Sequence, residues 1–175
     1  MLAWDVETGG LDARKSLLTV ATTYSPEHQM IYQFAILSPE GKLIKAPDFD
    51  VKKEAFMKEL DDAPILAGFN TIGFDLKFIT IAFNIPPERV MKWVIKSLDI
   101  FETCKQVCGR TFGLNLVLDL NGLTSKSGSG MHAVEQAFAG EFEALGDYCM
   151  DDSRLTYLIS TRKRIALPEG WKWRK

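Results

Sequence analysis

The order of the structural elements predicted along the chain constrains its fold more than any other feature. Apolar or β-branched residues predict strands at residues 2–7, 16–24 and 30–37, and turn-forming clusters at residues 25–28 and 38–41 bound them. After these strands the chain becomes mostly helical, with short strands between helices. This order favours an α/β fold in which helices cover both faces of a mixed sheet.

The remaining elements follow from hydrophobic spacing and from helix-breaking residues. Two short strands are predicted, at residues 65–69 and 97–99. Helices are predicted at residues 51–61, 74–83, 87–95, 100–108, 114–120, 133–138 and 142–165. Residues 121–130 (NGLTSKSGSG) form a low-complexity patch rich in Gly and Ser, and this composition predicts a mobile loop.

Composition limits the number of domains and the kinds of partner. The chain has 175 residues, of which 46% are hydrophobic, and we expect a single domain over residues 1–175. No apolar run approaches the roughly 18 residues of a membrane span, and we expect no secretory signal, since the first residues already have the pattern of a strand. We therefore expect a cytoplasmic protein with no membrane partner. Its net charge of −2 means that any contact with a polyanion depends on bound cations and a local basic patch.

The three cysteines are an odd set without metal-binding spacing. Cys104, Cys108 and Cys149 include no pair two residues apart and have no neighbouring histidine pair. Neither a disulfide framework nor a zinc site is indicated, and we expect reduced thiols.

Two acidic residues share one face of the first predicted strand. Side chains alternate along a strand, so Asp5 and Glu7 project from the same side about 7 Å apart, while Trp4 and Val6 point the other way. The simpler interpretation is a half-exposed strand with solvated acids. Residues 8–10 then form a turn, which places the acids at a strand terminus, where ligand sites are common.

A third acid, Asp75, ends the segment at residues 68–75 (GFNTIGFD), which connects a buried strand to a helix. Asp75 begins the next predicted helix, near the sheet end at which a parallel neighbour of the first strand would finish. The alternative is ordinary helix chemistry, in which Asn70 or Thr71 caps the helix and Asp75 interacts with its dipole.

A fourth acid lies inside an apolar helix face. The row at spacings of three and four residues consists of Leu145, Tyr148, Asp152, Leu155 and Ile159. An ionised carboxylate on such a face costs several kcal/mol unless it is paired or binds a metal, and no basic residue lies on this row. A bound cation at Asp152 explains the pattern, and Tyr148 lies one turn earlier on the same face.

Three segments together resemble the DEDD exonuclease superfamily. Residues 4–11 (WDVETGGL) resemble its first motif, and residues 68–75 resemble its second motif in the form typical of family-B DNA polymerase exonuclease domains. Residues 148–152 (YCMDD) are similar to the third motif of the tyrosine-containing (DEDDy) branch. The motifs occur in the family's order. Phe69 and Gly73 occupy positions at which the family varies, and the resemblance assigns them no role.

The resemblance implies a fold and a reaction. The fold is ribonuclease H-like, a mixed five-stranded sheet whose first three strands are antiparallel, flanked by helices. The reaction is 3′→5′ hydrolysis of phosphodiester bonds at 3′ ends of single-stranded DNA or RNA, which releases nucleoside monophosphates. Asp5, Glu7 and Asp152 would hold one divalent ion, and Asp5 would bridge to a second ion supported by Asp75. Oxygen ligands favour Mg²⁺ or Mn²⁺, and two ions about 4 Å apart stabilise the attacking and leaving oxygens.

The resemblance also implies roles for residues around the acids. Tyr148 would orient the attacking water, and Thr8 would contact the substrate. Leu11 resembles a residue that wedges against the terminal base, the alternative being ordinary packing at a turn. Asn70 would contact the terminal sugar or phosphate, the alternative being a turn-forming role.

Basic residues offer candidate phosphate contacts, although any solvated cation would have the same pattern. These candidates are Lys77, Arg110, Lys126 and Arg154. The tail at residues 171–175 (WKWRK) could stack on bases or pack its tryptophans on the domain.

Two other functions remain open from sequence alone. A domain of this fold can bind nucleic acid or serve as a scaffold without catalysis, although such a relative would usually lack one of the acids. An endonuclease, or an enzyme acting on another phosphate ester, is the second alternative. No motif distinguishes DNA from RNA, since that distinction rests on contacts to the 2′ position.

Overall fold

The structure is a computed structural model that describes residues 1–124 and 130–167. Its strands are β1 (Leu2–Thr8), β2 (Leu18–Ser25), β3 (His28–Gln33), β4 (Ala35–Leu37), β5 (Leu43–Lys45), β6 (Leu66–Gly68) and β7 (Ser97–Asp99). Its helices are α1 (Phe49–Asp62), α2 (Asp75–Phe83), α3 (Pro87–Ile95), α4 (Ile100–Cys108), α5 (Leu114–Leu120), α6 (Gly130–Ala139) and α7 (Phe142–Ser160).

The main sheet has five strands in the order β3-β2-β1-β6-β7. Strands β1, β2 and β3 are antiparallel neighbours, and β2 and β3 form a hairpin closed by the pair Ser25 and His28. Strand β6 runs parallel to β1, and β7 runs parallel to β6. The α/β fold class predicted from the sequence, a ribonuclease H-like mixed sheet flanked by helices, is confirmed.

The predicted single strand at residues 30–37 is wrong, because the chain leaves the main sheet at Phe34. The Phe34 N–H donates to the carbonyl of Thr19 at 2.8 Å, and the Phe34 carbonyl accepts from the Ala46 N–H at 2.9 Å. Phe34 therefore joins β3 in the main sheet to β4, which pairs with β5 in a two-stranded sheet. Apolar residues stand on both sides of this change of partner, with only Gln33 between them, so the sequence pattern predicts one strand.

The last helix is shorter than predicted. Helix α7 ends at Ser160, whereas apolar spacing extended it through Ile165. The Arg162 N–H donates to the carbonyl of Ile159, three residues back, and this tighter turn ends the helix. Helices α3, α4 and α5 have the predicted bounds.

Helices cover both faces of the main sheet. Trp4 and Val6 of β1 pack into a core with Phe56 of α1 and Leu76 of α2. On the other face, Leu145 and Cys149 of α7 pack with Val20 of β2 and with α6. Helix α7 therefore crosses the face of β1 opposite to Trp4, which is the face that carries Asp5 and Glu7. Within the described residues, no helix is both long enough and apolar enough to cross a bilayer.

Candidate metal centre

Three carboxylates converge where α7 crosses β1. Strand alternation places Asp5 and Glu7 side by side, and α7 brings Asp152 against them from a position that is only 6% exposed. One carboxylate oxygen from each residue lies within 4.8 Å of those of the other two. The structure therefore brings together three acids separated by up to 147 positions into a group that can hold a cation.

Asp75 lies beside this group at the first residue of α2, and only 3% of it is exposed. Burial raises the pKa of the Asp75 carboxyl well above its ordinary value, and the negative charges of Asp5, Glu7 and Asp99 raise it further. A nearby positive charge would stabilise the ionised form of this carboxyl. The arrangement thus concentrates negative charge at one point, which a divalent cation would offset.

Asp99 holds the loop that leads from β6 into α2. One of its carboxylate oxygens accepts from the backbone N–H of Asn70 at 2.9 Å, and the other accepts from that of Ile72 at 2.9 Å. The same carboxylate caps α4 by accepting from the Glu102 N–H at 3.2 Å. Asp99 therefore connects α4 to the loop beside Asp75. Sequence reasoning had placed Asp99 only at the end of a short strand.

The absence of a side chain at Gly73 leaves room for the side chain of Asn70. Asn70 adopts the left-handed region with φ 65°, and its Oδ1 lies 2.5 Å from the point where a Cβ on Gly73 would be. Any side chain at position 73 would displace that amide. Gly73 thus has a structural reason to be glycine, which its variability in the resembling family did not suggest.

Cys149 contacts the metal-ligand candidate Asp5. Its Sγ donates to Oδ2 of Asp5 at 3.5 Å and lies 3.3 Å from the hydroxyl of Thr22. Burial first, and then the charges of Asp5 and Glu7, raise the pKa of the Cys149 thiol well above its ordinary value. The protonated thiol is therefore retained as a donor to Asp5. The spacing of three residues shows only that Cys149 lies near Asp152 on α7, and the contact with Asp5 is not visible in the local sequence.

A cavity of about 690 Å³ opens over the acids. This volume is within the range of small-ligand sites. The cavity is lined by eight of the residues singled out from the sequence, namely Asp5, Glu7, Thr8, Leu11, Asn70, Asp75, Tyr148 and Asp152. Its apolar walls include Phe69, Phe74, Phe101 and Phe112. Lys126, one of the predicted phosphate contacts, lies outside the described residues.

Three of the lining residues have clear local environments. The buried Thr8 hydroxyl donates to the carbonyl of Gly10 at 2.7 Å and so also braces the turn after β1. Leu11 is 84% exposed, which argues against ordinary packing at this turn. Asn70 has the turn-forming backbone expected from the alternative interpretation, and its side chain also lines the cavity.

The predicted phosphate contacts differ in their surroundings. The Arg154 guanidinium pairs with Asp151 at 3.2 Å, and that of Arg110 lies 4.9 Å from the centre of the Phe112 ring. Lys77 lines a neighbouring cavity. The tail at residues 171–175 lies outside the described part of the chain.

Comparison with solved structures supports the fold. The chain resembles the family B DNA polymerase from the hyperthermophilic archaeon Pyrobaculum calidifontis with a TM-score of 0.65 and 15% identity, over 89% of this chain and 23% of the polymerase. It also resembles a nuclease in its apo form, with a TM-score of 0.55 and 16% identity, over 90% of this chain and 68% of that one. No family model and no curated protein matches the sequence. The chain thus shares a fold with these structures and spans about a quarter of the polymerase.

Proposed function

We propose that the protein is a metal-dependent 3′→5′ exonuclease of the DEDDy type that removes nucleoside monophosphates from single-stranded nucleic acid. The observation that carries this proposal is the convergence of Asp5, Glu7 and Asp152, with Asp75 beside them, at the floor of a cavity. The likeness to a family B DNA polymerase and to a nuclease gives independent support, because it was found from the fold and not from the motifs.

The donor set fits hard divalent cations. Every candidate ligand is a carboxylate oxygen, and such sites favour Mg²⁺ or Mn²⁺ over softer metals. Asp5, Glu7 and Asp152 would hold one ion, and Asp5 with Asp75 would hold a second. Bound ions of this kind stabilise negative charge on a phosphate and lower the pKa of water. The raised pKa of Asp75 is the property expected of a buried ligand before its cation binds.

The other cavity residues position the substrate. Tyr148 lies one turn before Asp152 and lines the same cavity, so its hydroxyl orients the attacking water. Because an ordinary tyrosine pKa is near 10, Tyr148 acts by hydrogen bonding and not as the main base. The exposed Leu11 packs against the terminal base, while Thr8 and Asn70 contact the terminal nucleotide.

The test is digestion of oligonucleotides labelled at the 5′ end. Matched DNA and RNA strands are incubated with Mg²⁺ or Mn²⁺ and with the parent protein, Asp152→Asn or Asp151→Asn. Asp151 is the matched control, since it is exposed and pairs with Arg154 at the surface. We expect stepwise shortening by the parent and by Asp151→Asn. Asp152→Asn should lose at least about a hundredfold in rate, or about 2.7 kcal/mol of transition-state stabilisation.

Other outcomes point to other functions. Internal cuts would indicate an endonuclease of this fold. Binding without cleavage would indicate a nucleic-acid-binding or scaffold domain. Equal activity of Asp152→Asn and Asp151→Asn would contradict the proposed role of the carboxylates.

A further inference from the structure

A second cavity of about 610 Å³ adjoins the one above the acids. Leu11 and Phe74 line both cavities, so the two cavities meet at these side chains. The second cavity extends along α2 to Lys77 and Phe78, and along the turn after β1 to Arg14. Any strand that enters the first cavity past Leu11 meets this surface.

The second cavity carries positive charge that is not neutralised nearby. Arg14 and Lys77 are exposed, and neither side chain forms an ion pair with another residue in the described part of the chain. The third charged residue of the lining is Asp12. Its carboxylate lies 3.6 Å from Lys15 and accepts from the backbone N–H of Arg14 at 3.0 Å. The positively charged side chains of Arg14 and Lys77 can therefore contact a ligand, next to a cavity whose floor is acidic.

Two aromatic side chains line the second cavity together with Arg14 and Lys77. The rings of Phe74 and Phe78 lie 4.9 Å apart at an angle of 47°. Phe78 is buried, whereas Phe74 is half-buried and faces both cavities. Cationic side chains beside an aromatic side chain that lines a cavity are the combination that binds single-stranded nucleic acid without reading its sequence.

We propose that this second cavity binds the nucleotides on the 5′ side of those held over the acids, with Arg14 and Lys77 contacting their phosphates. The proposal rests on the proposed exonuclease function, since it assigns the path of the same substrate. The protein has a net charge of −2, so its attraction for a polyanion must be local, and Arg14 and Lys77 supply it beside the entrance to the acidic cavity.

The test compares substrates that reach the second cavity with substrates that do not. The double variant Arg14→Gln/Lys77→Gln is assayed with a single-stranded dodecamer and with a dinucleotide, as DNA and as RNA. Lys92→Gln is the control, because Lys92 is an exposed lysine that lines a separate cavity with Asp61 and Trp93. Binding of a phosphorothioate-linked dodecamer is measured in parallel by fluorescence anisotropy.

We expect the double variant to raise KM for the dodecamer and to leave kcat unchanged. Its activity on the dinucleotide should equal that of the parent. Removal of two phosphate contacts should also reduce the slope of log(kcat/KM) against log salt by about 1.4, because each contact to a single strand contributes about 0.7. Lys92→Gln should behave as the parent in every assay.

Failures of the two proposals are distinguishable. The inference is wrong, while the exonuclease proposal stands, if kcat/KM of the double variant falls equally on both substrates. The same holds if its kcat/KM on the dodecamer falls no more than that of Lys92→Gln. If the parent binds the dodecamer and cleaves nothing, the exonuclease proposal is wrong, and weaker binding by the double variant still supports the second cavity. A parent that neither binds nor cleaves overturns both.

Discussion

The backbone N–H of Asn70 donates to the carboxylate of Asp99 at 2.9 Å, which ties the loop after β6 to the start of α4. This bond fixes a residue in the left-handed backbone region at the edge of the acidic cavity. Asp99 itself accepts three backbone donors and is buried. The position of the loop before Asp75 thus depends on a residue outside all three motifs.

Substitution of Asp99 should reduce both stability and activity. Asp99→Asn removes a charge that accepts three N–H groups, and we expect it to lower the free energy of unfolding by about 1–3 kcal/mol. At a temperature where the variant remains fully folded, kcat/KM should still fall about tenfold, or ~1.4 kcal/mol, because the loop carrying Asn70 is no longer fixed. Circular dichroism melts and oligonucleotide digestion measure the two effects.

The control for Asp99→Asn is Asp119→Asn, which changes an exposed acid on α5. Full activity of folded Asp99→Asn would show that the loop is held by other contacts.

Gly73→Ala should lower activity through Asn70. The added Cβ would lie 2.5 Å from Oδ1 of Asn70, so the amide must leave its place in the cavity. Asn70→Gly removes the same amide and permits the positive φ. We therefore expect each single variant to raise KM, and the double variant to be no worse than Asn70→Gly alone. Additive losses, measured as kcat/KM, would mean that Gly73 acts independently of Asn70.

Cys149→Ala should weaken cation binding without abolishing activity. The thiol donates to Oδ2 of Asp5, and loss of a hydrogen bond to a metal ligand reduces metal affinity by about tenfold or more. Cys149→Ser keeps a donor and should lose less. Mg²⁺ titration of the initial rate measures the apparent affinity. The control is Cys104→Ala, which removes a thiol buried in the separate core around α4 and α5. Equal affinities in the two alanine variants would exclude a role of Cys149 at Asp5.

Asp75→Asn should stabilise the metal-free protein at neutral pH. The pKa of the Asp75 carboxyl is raised in the folded state, so from about pH 4 upward the unfolded chain releases this proton more readily than the folded chain does. The folded state is therefore penalised as pH rises toward the raised pKa, and asparagine removes this penalty. In the presence of a chelator, thermal melts should show a higher Tm for Asp75→Asn than for the parent. The rise should be ~2–4 °C for each kcal/mol gained in the free energy of unfolding. The difference should disappear well below the ordinary aspartate pKa of about 4, where the folded and unfolded states are both protonated.

The same melts provide a second comparison. Mg²⁺ should raise the Tm of the parent more than that of Asp75→Asn, because the cation offsets a charge that the variant lacks. A lower Tm for Asp75→Asn in chelator would show that the carboxylate contributes to folding in some other way.

The fold and part of the site could be predicted because their signals are local. Period-two alternation on β1 predicted that Trp4 and Val6 enter the core while Asp5 and Glu7 share the other face, and the structure has this arrangement. The apolar row of α7 marked Asp152 in the same way. Strand order predicted the mixed sheet. These signals depend on residues at most a few positions apart.

The features that sequence reasoning missed depend on distant partners. Asp99 binds N–H groups 27 and 29 positions earlier, and its local sequence shows only an acid before a helix. Cys149 meets Asp5 across 144 positions. Phe34 joins one sheet to the other within a segment that is apolar except for Gln33, because β5 offers a partner that the local pattern does not reveal.

The carboxylate trio draws one member from α7 and two from β1, at opposite ends of the described chain. A nascent polypeptide can therefore pair β1 with β2 before the three carboxylates have met. They come together only when α7 has left the ribosome and docked on the sheet. Any capacity of this group to hold a cation thus arises with the tertiary structure and not with the first strand pair.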